Sequence, residues 1–134
     1  ILLMLLYRMP VFTASWLYLP IIIVVQLLFT AGVGLLGAAL NVFYRDMRHL
    51  FGLLLQLWLY ASPVIYPVTS VPEQFRTIYF LNPMAGILTA YREVLIMQQV
   101  PGAYFIATTI LAVLTFLFGY WFFRRVEPRF ADVV

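Results

Sequence analysis

Long apolar runs separated by compact polar breaks set the plan of this chain. The first run, about 16–40, carries one polar stripe. Gln26, Thr30, Gly34, Gly37 and Asn41 recur at spacings of four and three, which puts them on one helical face. Ala38 extends that face, so that Gly34-xxx-Ala38 is a small-xxx-small pair. Small residues let helix backbones approach, while amides and hydroxyls bond across the contact. The glycines therefore read first as helix packing. Gln26 asks for more, because a mid-span amide needs a partner or water. About 25 residues of helix reach about 37 Å, enough to cross a bilayer with some tilt. Trp16 and Tyr18 suit a membrane interface, and Pro20 falls in the opening turns, where its missing N–H costs little.

The second run, about 50–66, is at the short limit for a span. Its polar face is Gly52, Gln56, Tyr60 and Pro63. Gln26, Thr30, Gly34, Gln56 and Tyr60 together form a candidate path or helix-contact face. Ser62-Pro63 and Tyr66-Pro67 end or kink this helix, since each proline removes a donor and restricts its predecessor. Between the two runs lies the densest polar break, 41–49. It gathers Asn41, Tyr44, Arg45, Asp46, Arg48 and the only histidine, His49. Charge in hydrocarbon is costly, so this segment belongs in water beside a membrane. Its plain reading is a solvated hairpin. The same loop is also a handle on which a soluble partner can push.

After Tyr66 the character changes. Ser70-Val71-Pro72-Glu73 has the form of a capping box and predicts a short helix from Pro72 to Leu81. Asn82-Pro83 repeats the logic and predicts a second helix from Pro83 to Met97. At about 15 residues it reaches about 22 Å. Arg92 and Glu93 break its second half. Short and charged, the region at about 70–98 reads as two re-entrant helices that dip into the bilayer and return. The last run, about 103–123, has a small face of Thr108, Ala112, Thr115 and Gly119. An aromatic belt of Tyr120, Trp121, Phe122 and Phe123 closes it, followed by Arg124, Arg125 and Arg129.

Composition agrees. The chain has 134 residues, 65% hydrophobic and 10% charged, with mean hydropathy +1.01. Soluble domains are about half apolar and a quarter charged. The fold class expected is an all-α integral membrane protein, a transmembrane helix bundle with two short re-entrant helices between its last two spans. Its net charge of +3 forms no continuous patch for nucleic acid. With no cysteine, disulfides and thiolate metal sites are excluded. The chain opens on Ile1, and the apolar stretch to Tyr7 is too short to span, so an N-terminal portion is expected to precede it. If 68–102 returns to its own side, Arg45, Arg48, Arg124, Arg125 and Arg129 lie together against Arg8, Arg76 and Arg92. If Pro83–Met97 spans instead, the central break faces out. Both satisfy the positive-inside rule; span length and the Arg92-Glu93 pair favour the first.

Chemistry for bond breaking is thin. No phosphate-cradling glycine motif appears, and a single histidine does not make a metal site. Ser15, Ser62 and Ser70 have no histidine within the apolar runs to activate them. Catalytic, cofactor and metal residues are therefore expected to be absent.

The order of motifs resembles the permease subunits of type-2 ABC transporters, in particular the polysaccharide exporters. The matching pieces are Asn41-Val42-Phe43-Tyr44-Arg45-Asp46 after a glycine-rich span, then Ser62-Pro63-Val64-Ile65-Tyr66, Leu81-Asn82-Pro83-Met84 and Tyr91-Arg92-Glu93. A final span and a basic tail with Phe130-Ala131-Asp132 complete the series. The resemblance implies a six-span subunit of which this chain holds the C-terminal half, in the cytoplasmic (inner) membrane. It implies two permease copies, a homodimer, with two ABC ATP-binding subunits that carry the ATP. Asn41, Tyr44, Arg45, Asp46 and Arg48 would be a cytoplasmic coupling loop, with Asn41 capping the element after it. Pro63, Tyr66, Asn82, Pro83, Arg92 and Glu93 would belong to a re-entrant outer gate. The substrate implied is a lipid-linked glycan of O-antigen, capsule or teichoic acid type. The alternatives are a type-2 exporter of a drug or lipid, and a non-transporting membrane scaffold.

Overall fold

The computed structural model describes residues 14–43, 47–62 and 81–127. All regular structure among the described residues is helical. A 3₁₀ turn, Ala14–Tyr18, leads into α1, Leu19–Phe43. Pro20 is its second residue, where no intrahelical donor is lost. α2 is Met47–Ala61, and α3 is Pro83–Arg92, continued by a π-helical turn at Glu93–Met97. α4 is Tyr104–Val126.

The helices run further into the central break than hydropathy indicates. α1 continues through Phe43 and α2 already starts at Met47, so only 44–46 separate them and lie outside the described residues. Hydropathy marks where hydrocarbon ends, whereas Met and Arg are good helix formers on either side of that level. One expectation is corrected: Asn41 does not cap the element that follows. It sits inside the last turn of α1, which already places its backbone in helical conformation, and its side chain is exposed. The predicted helix Pro72–Leu81, its Ser70 capping box, Pro63 and Tyr66 lie outside the described residues.

α1 and α4 form the main seam. Ile22, Val25, Phe29 and Gly32 are buried at spacings of three and four, and Thr108, Ala112, Gly119 and Val126 are buried on α4. That period belongs to helices meeting along a narrow seam. The seam narrows to backbone contact where Gly32 meets Gly119. A Cβ at Gly32 would lie 2.7 Å from the Phe116 Cα, and one at Gly119 would strike the Gly32 carbonyl oxygen. α3 packs across both helices through Ile87, Ala90 and Val94, joining Ile22, Val25, Phe29 and Ala112 in one buried cluster. Gly86 lets α3 approach, since a methyl there would run into the Thr108 side chain.

The outside of the bundle is as apolar as its inside. Ile21, Val24 and Leu27 on α1, Leu53 and Leu57 on α2, and Ile106, Ile110 and Leu117 on α4 all face outward. Ala14–Asn41 and Tyr104–Val126 are long and apolar enough to cross a membrane. Only 22% and 17% of their apolar windows are buried, so neither is the core helix of a soluble fold. α2 carries a shorter apolar stretch, Leu50–Tyr60.

Candidate functional site

Three polar junctions and one apolar groove are built into this frame. The first junction starts α3. Asn82 takes an extended conformation, φ −82° and ψ 109°, and its Oδ1 accepts from the Met84 N–H at 3.1 Å. Pro83 follows at the first helical position, as the sequence predicts. The Asn82 amide nitrogen donates to Ser62 Oγ at 3.2 Å, and Ser62 is buried at the end of α2. One asparagine thus caps α3 and ties it to α2 across the 63–80 connection. Asn82→Ala should cost about 1 kcal/mol, the usual loss of an N-cap. Hydrogen exchange should quicken at the first-turn amides of α3, Met84 above all.

The second junction crosses between helices. Tyr91 on α3 donates its hydroxyl to Gln26 Oε1 on α1 at 2.7 Å. The carbonyl end of the Gln26 amide therefore has a partner on a neighbouring helix. Tyr91 also packs its ring against the buried cluster.

The third junction is the return from α3 to α4, and Glu93 is its centre. Gln98 ends the π-helical turn in a left-handed conformation, φ 56° and ψ 34°, and its N–H reaches the Glu93 carbonyl. The Gln99 N–H reaches the same carbonyl at 2.9 Å. The Glu93 carboxylate accepts from the Gly102 N–H at 3.0 Å and the Tyr104 hydroxyl at 2.7 Å. The π-helical turn is held from the other side by Ser15, whose Oγ donates to the Val94 carbonyl at 3.4 Å. A shift to π register leaves carbonyls available for such donors.

The groove runs between α1, α2 and the start of α3. Its cavity measures about 460 Å³ and is lined by Phe29, Thr30, Val33, Gly34, Gly37, Phe51, Leu54, Leu55, Trp58 and Met84. The Phe29 and Trp58 rings stand 6.3 Å apart at an angle of 35°. A Cβ at Gly37 would sit 3.1 Å from the Phe51 ring.

The predicted site residues are distributed among these features. Thr30 and Gly34 face the groove, and nothing lies within 4 Å of the position a Gly34 Cβ would take. Gly32, off the polar stripe, makes the close helix contact instead. Gln56 and Tyr60 are exposed on α2, with Tyr60 in contact with another residue. Asn82, Pro83, Arg92 and Glu93 fall at the two ends of the α3 segment. Arg92 is half-buried and engaged. Arg48 lies in the first turn of α2. Tyr44, Arg45 and Asp46 lie outside the described residues. The small face of α4 is a packing surface. Thr108 and Thr115 donate their hydroxyls to the Tyr104 and Leu111 carbonyls at 3.1 and 2.8 Å, so neither hydroxyl donor is left for a ligand. At the far end of α4, Arg124 pairs with Glu127 at 3.1 Å and Arg125 covers the Trp121 ring at 5.3 Å.

Two structural positions escaped the sequence reading. Tyr104 carried no signal beyond an aromatic at a helix start, and Gly32 was masked by apolar neighbours. The side chains that line the groove are apolar apart from the Thr30 hydroxyl and the Trp58 indole N–H.

A family model described as ABC-2 type transporter matches residues 1–96. Two proteins from Klebsiella pneumoniae named O-antigen export system permease protein RfbA are 30% and 27% identical over 121 residues, 90% of this chain and 47% of each relative. A Myxococcus xanthus protein of the same name is 36% identical over 86 residues, 63% of this chain and 33% of the relative. The chain spans about half the length of the first of these curated relatives.

Proposed function

Since this chain belongs to the ABC-2 type transporter family, we propose that it is the transmembrane subunit of an ATP-driven exporter that moves a lipid-linked polysaccharide of the O-antigen type across the cytoplasmic membrane. The observation that carries this reading is the shared name of the relatives: matches from two organisms, covering up to 90% of this chain, are O-antigen export permeases. The outward apolar helices support a multi-pass position in the bilayer. A second copy of the permease would complete the pathway, and a separate ATP-binding subunit would hydrolyse ATP. The groove, with the Phe51, Phe29 and Trp58 rings in its wall, supports passage of a ligand with extended apolar and ring surfaces. Aromatic faces stack on sugar rings, and amides bond their hydroxyls.

The test is transport. Inverted membrane vesicles holding the permease and its ATP-binding subunit should accumulate labelled lipid-linked polysaccharide only when ATP is supplied. Accumulation that is the same without this subunit would sink the proposal. Coupling is tested separately at the loop. Arg45 and Arg48 offer forked donors to carboxylates on an ATP-binding partner. Arg45→Ala or Asp46→Ala should leave membrane insertion intact and weaken co-purification of the ATP-binding subunit about tenfold, near 1.4 kcal/mol. Wild-type association and transport in both variants would mean that the loop is only a turn.

A further inference from the structure

We infer that the Gln26–Tyr91 pair is a pre-aimed hydrogen-bond donor inside the membrane, which reads the hydroxyl oxygens of the translocated glycan. The inference rests on the export function proposed above and adds a specificity residue to it.

Gln26 lies seven residues beyond Leu19, the first residue of α1. That places it about 10 Å along the helix, within the stretch long enough to cross the bilayer. Tyr91 donates to its Oε1 at 2.7 Å, which engages the acceptor end of the amide and fixes its orientation. The donor end, Nε2 with its two hydrogens, has no hydrogen-bond partner among the described residues, and Gln26 is only half-buried. Hydrocarbon satisfies no N–H group, so an amide nitrogen open at this depth calls for a polar partner. Thr30, one turn further on the same face, lines the groove. Gln26 itself does not line the groove; its amide stands one helical turn from Thr30, at the end of the cavity that the export reading assigns to the ligand.

Tyr91 makes the arrangement specific. Its ring is packed against the buried cluster, so the hydroxyl is held in place and the amide cannot rotate without losing the bond. A donor fixed in this way pays little ordering entropy when it meets an acceptor. Sugar hydroxyl and ring oxygens accept such N–H groups, whereas an acyl or isoprenoid chain offers no acceptor. Gln26 should thus distinguish the glycan from its lipid carrier.

The experiment uses proteoliposomes holding the permease with its ATP-binding subunit. Stimulation of ATP hydrolysis is titrated with a lipid-linked oligosaccharide and, in parallel, with the same carrier lipid bearing no sugar. Gln26→Leu should raise the half-saturating concentration of the oligosaccharide about fivefold, the worth of one hydrogen bond. Tyr91→Phe, which keeps the ring, should raise it about threefold by freeing the amide. Half-saturation by the sugar-free lipid should not move in either variant. Equal shifts for both lipids, or none for either, would overturn the inference while leaving the exporter intact. A wild-type complex that responds to neither lipid would overturn the export function and this inference together.

Discussion

Gly119→Ala should cost about 3 kcal/mol and Gly119→Leu more, whereas Gly34→Ala should be neutral or slightly stabilising. The difference lies in what each new Cβ meets. At Gly119 it strikes the Gly32 carbonyl oxygen, and at Gly32 it stands 2.7 Å from both the Phe116 Cα and N. These obstacles are backbone atoms of rigid helices, so no rotamer change relieves them. α1 and α4 must separate, and the buried cluster from Ile22 to Ala112 loses its packing along the seam. Overpacking of a tight core costs about 1–3 kcal/mol, and a backbone obstacle belongs at the upper end. At Gly34 the added methyl enters open space, and alanine is worth about 0.5–1 kcal/mol more than glycine in a helix. Detergent-titrated unfolding of the purified subunit separates the two cases. Gly32→Ala and Gly119→Ala should also combine sub-additively, because the first methyl already opens the crossing that the second needs. Additive losses, or a Gly119→Ala protein as stable as Gly34→Ala, would show that α1 and α4 do not meet backbone to backbone at Gly32 and Gly119.

That seam explains which parts of the architecture can be read from residues. The apolar runs, the Asn82-Pro83 start of α3 and the small face of α4 were legible because each departs from its surroundings: a proline, a cap, or small residues among large ones. Gly32 was not. A membrane helix is apolar on its buried and its lipid-facing sides alike, so hydropathy cannot tell Val25, which is buried, from Val24, which is exposed. The polar stripe from Gln26 through Gly34 drew attention to one face, while the closest contact formed on another. In a soluble helix the polar face marks the outside; here the polar residues are the ones that need partners, and Gln26 finds one on a neighbouring helix.

The helix ends were not legible for a related reason. Charge at Arg45, Asp46 and Arg48 marks the edge of the hydrocarbon, but α1 runs on through Asn41 to Phe43 and α2 already starts at Met47, taking in Arg48. The membrane position and the end of helical hydrogen bonding are separate properties, and only the first is written in hydropathy. Likewise, Arg92-Glu93 read as a charged interruption of a short helix. The helical path runs to Met97, as the Asn82-Pro83 start predicts, and what the residues did not show is the change of register at Glu93.

The role of that glutamate gives the other large expected effect. Glu93→Ala should destabilise the α3–α4 return by about 2–3 kcal/mol. The carboxylate accepts from the Gly102 N–H and the Tyr104 hydroxyl, donors that belong to the first residues of the α4 entry. Hydrogen bonds to charged groups contribute about 1.5–3 kcal/mol each, and partial exposure of this site keeps the sum near the lower end. Alanine leaves both donors without their acceptor in a part-buried place, which is where the loss is greatest. Tyr104→Phe removes one donor and keeps the ring, so it should cost about 1 kcal/mol. Glu93→Gln retains a carbonyl acceptor without the charge and should fall between the two. Hydrogen exchange locates the damage: the Gly102 amide and the first turn of α4 should lose protection in Glu93→Ala, while the mid-seam amides around Ala112 keep theirs. If Glu93 were merely a charge at the membrane surface, all three variants would retain native protection at Gly102. The backbone of Glu93 is unaffected by these substitutions, so its carbonyl still receives the Gln98 and Gln99 N–H groups. The π-helical turn should therefore persist in every variant, and only the strap from Gln99 to Ala103 should loosen.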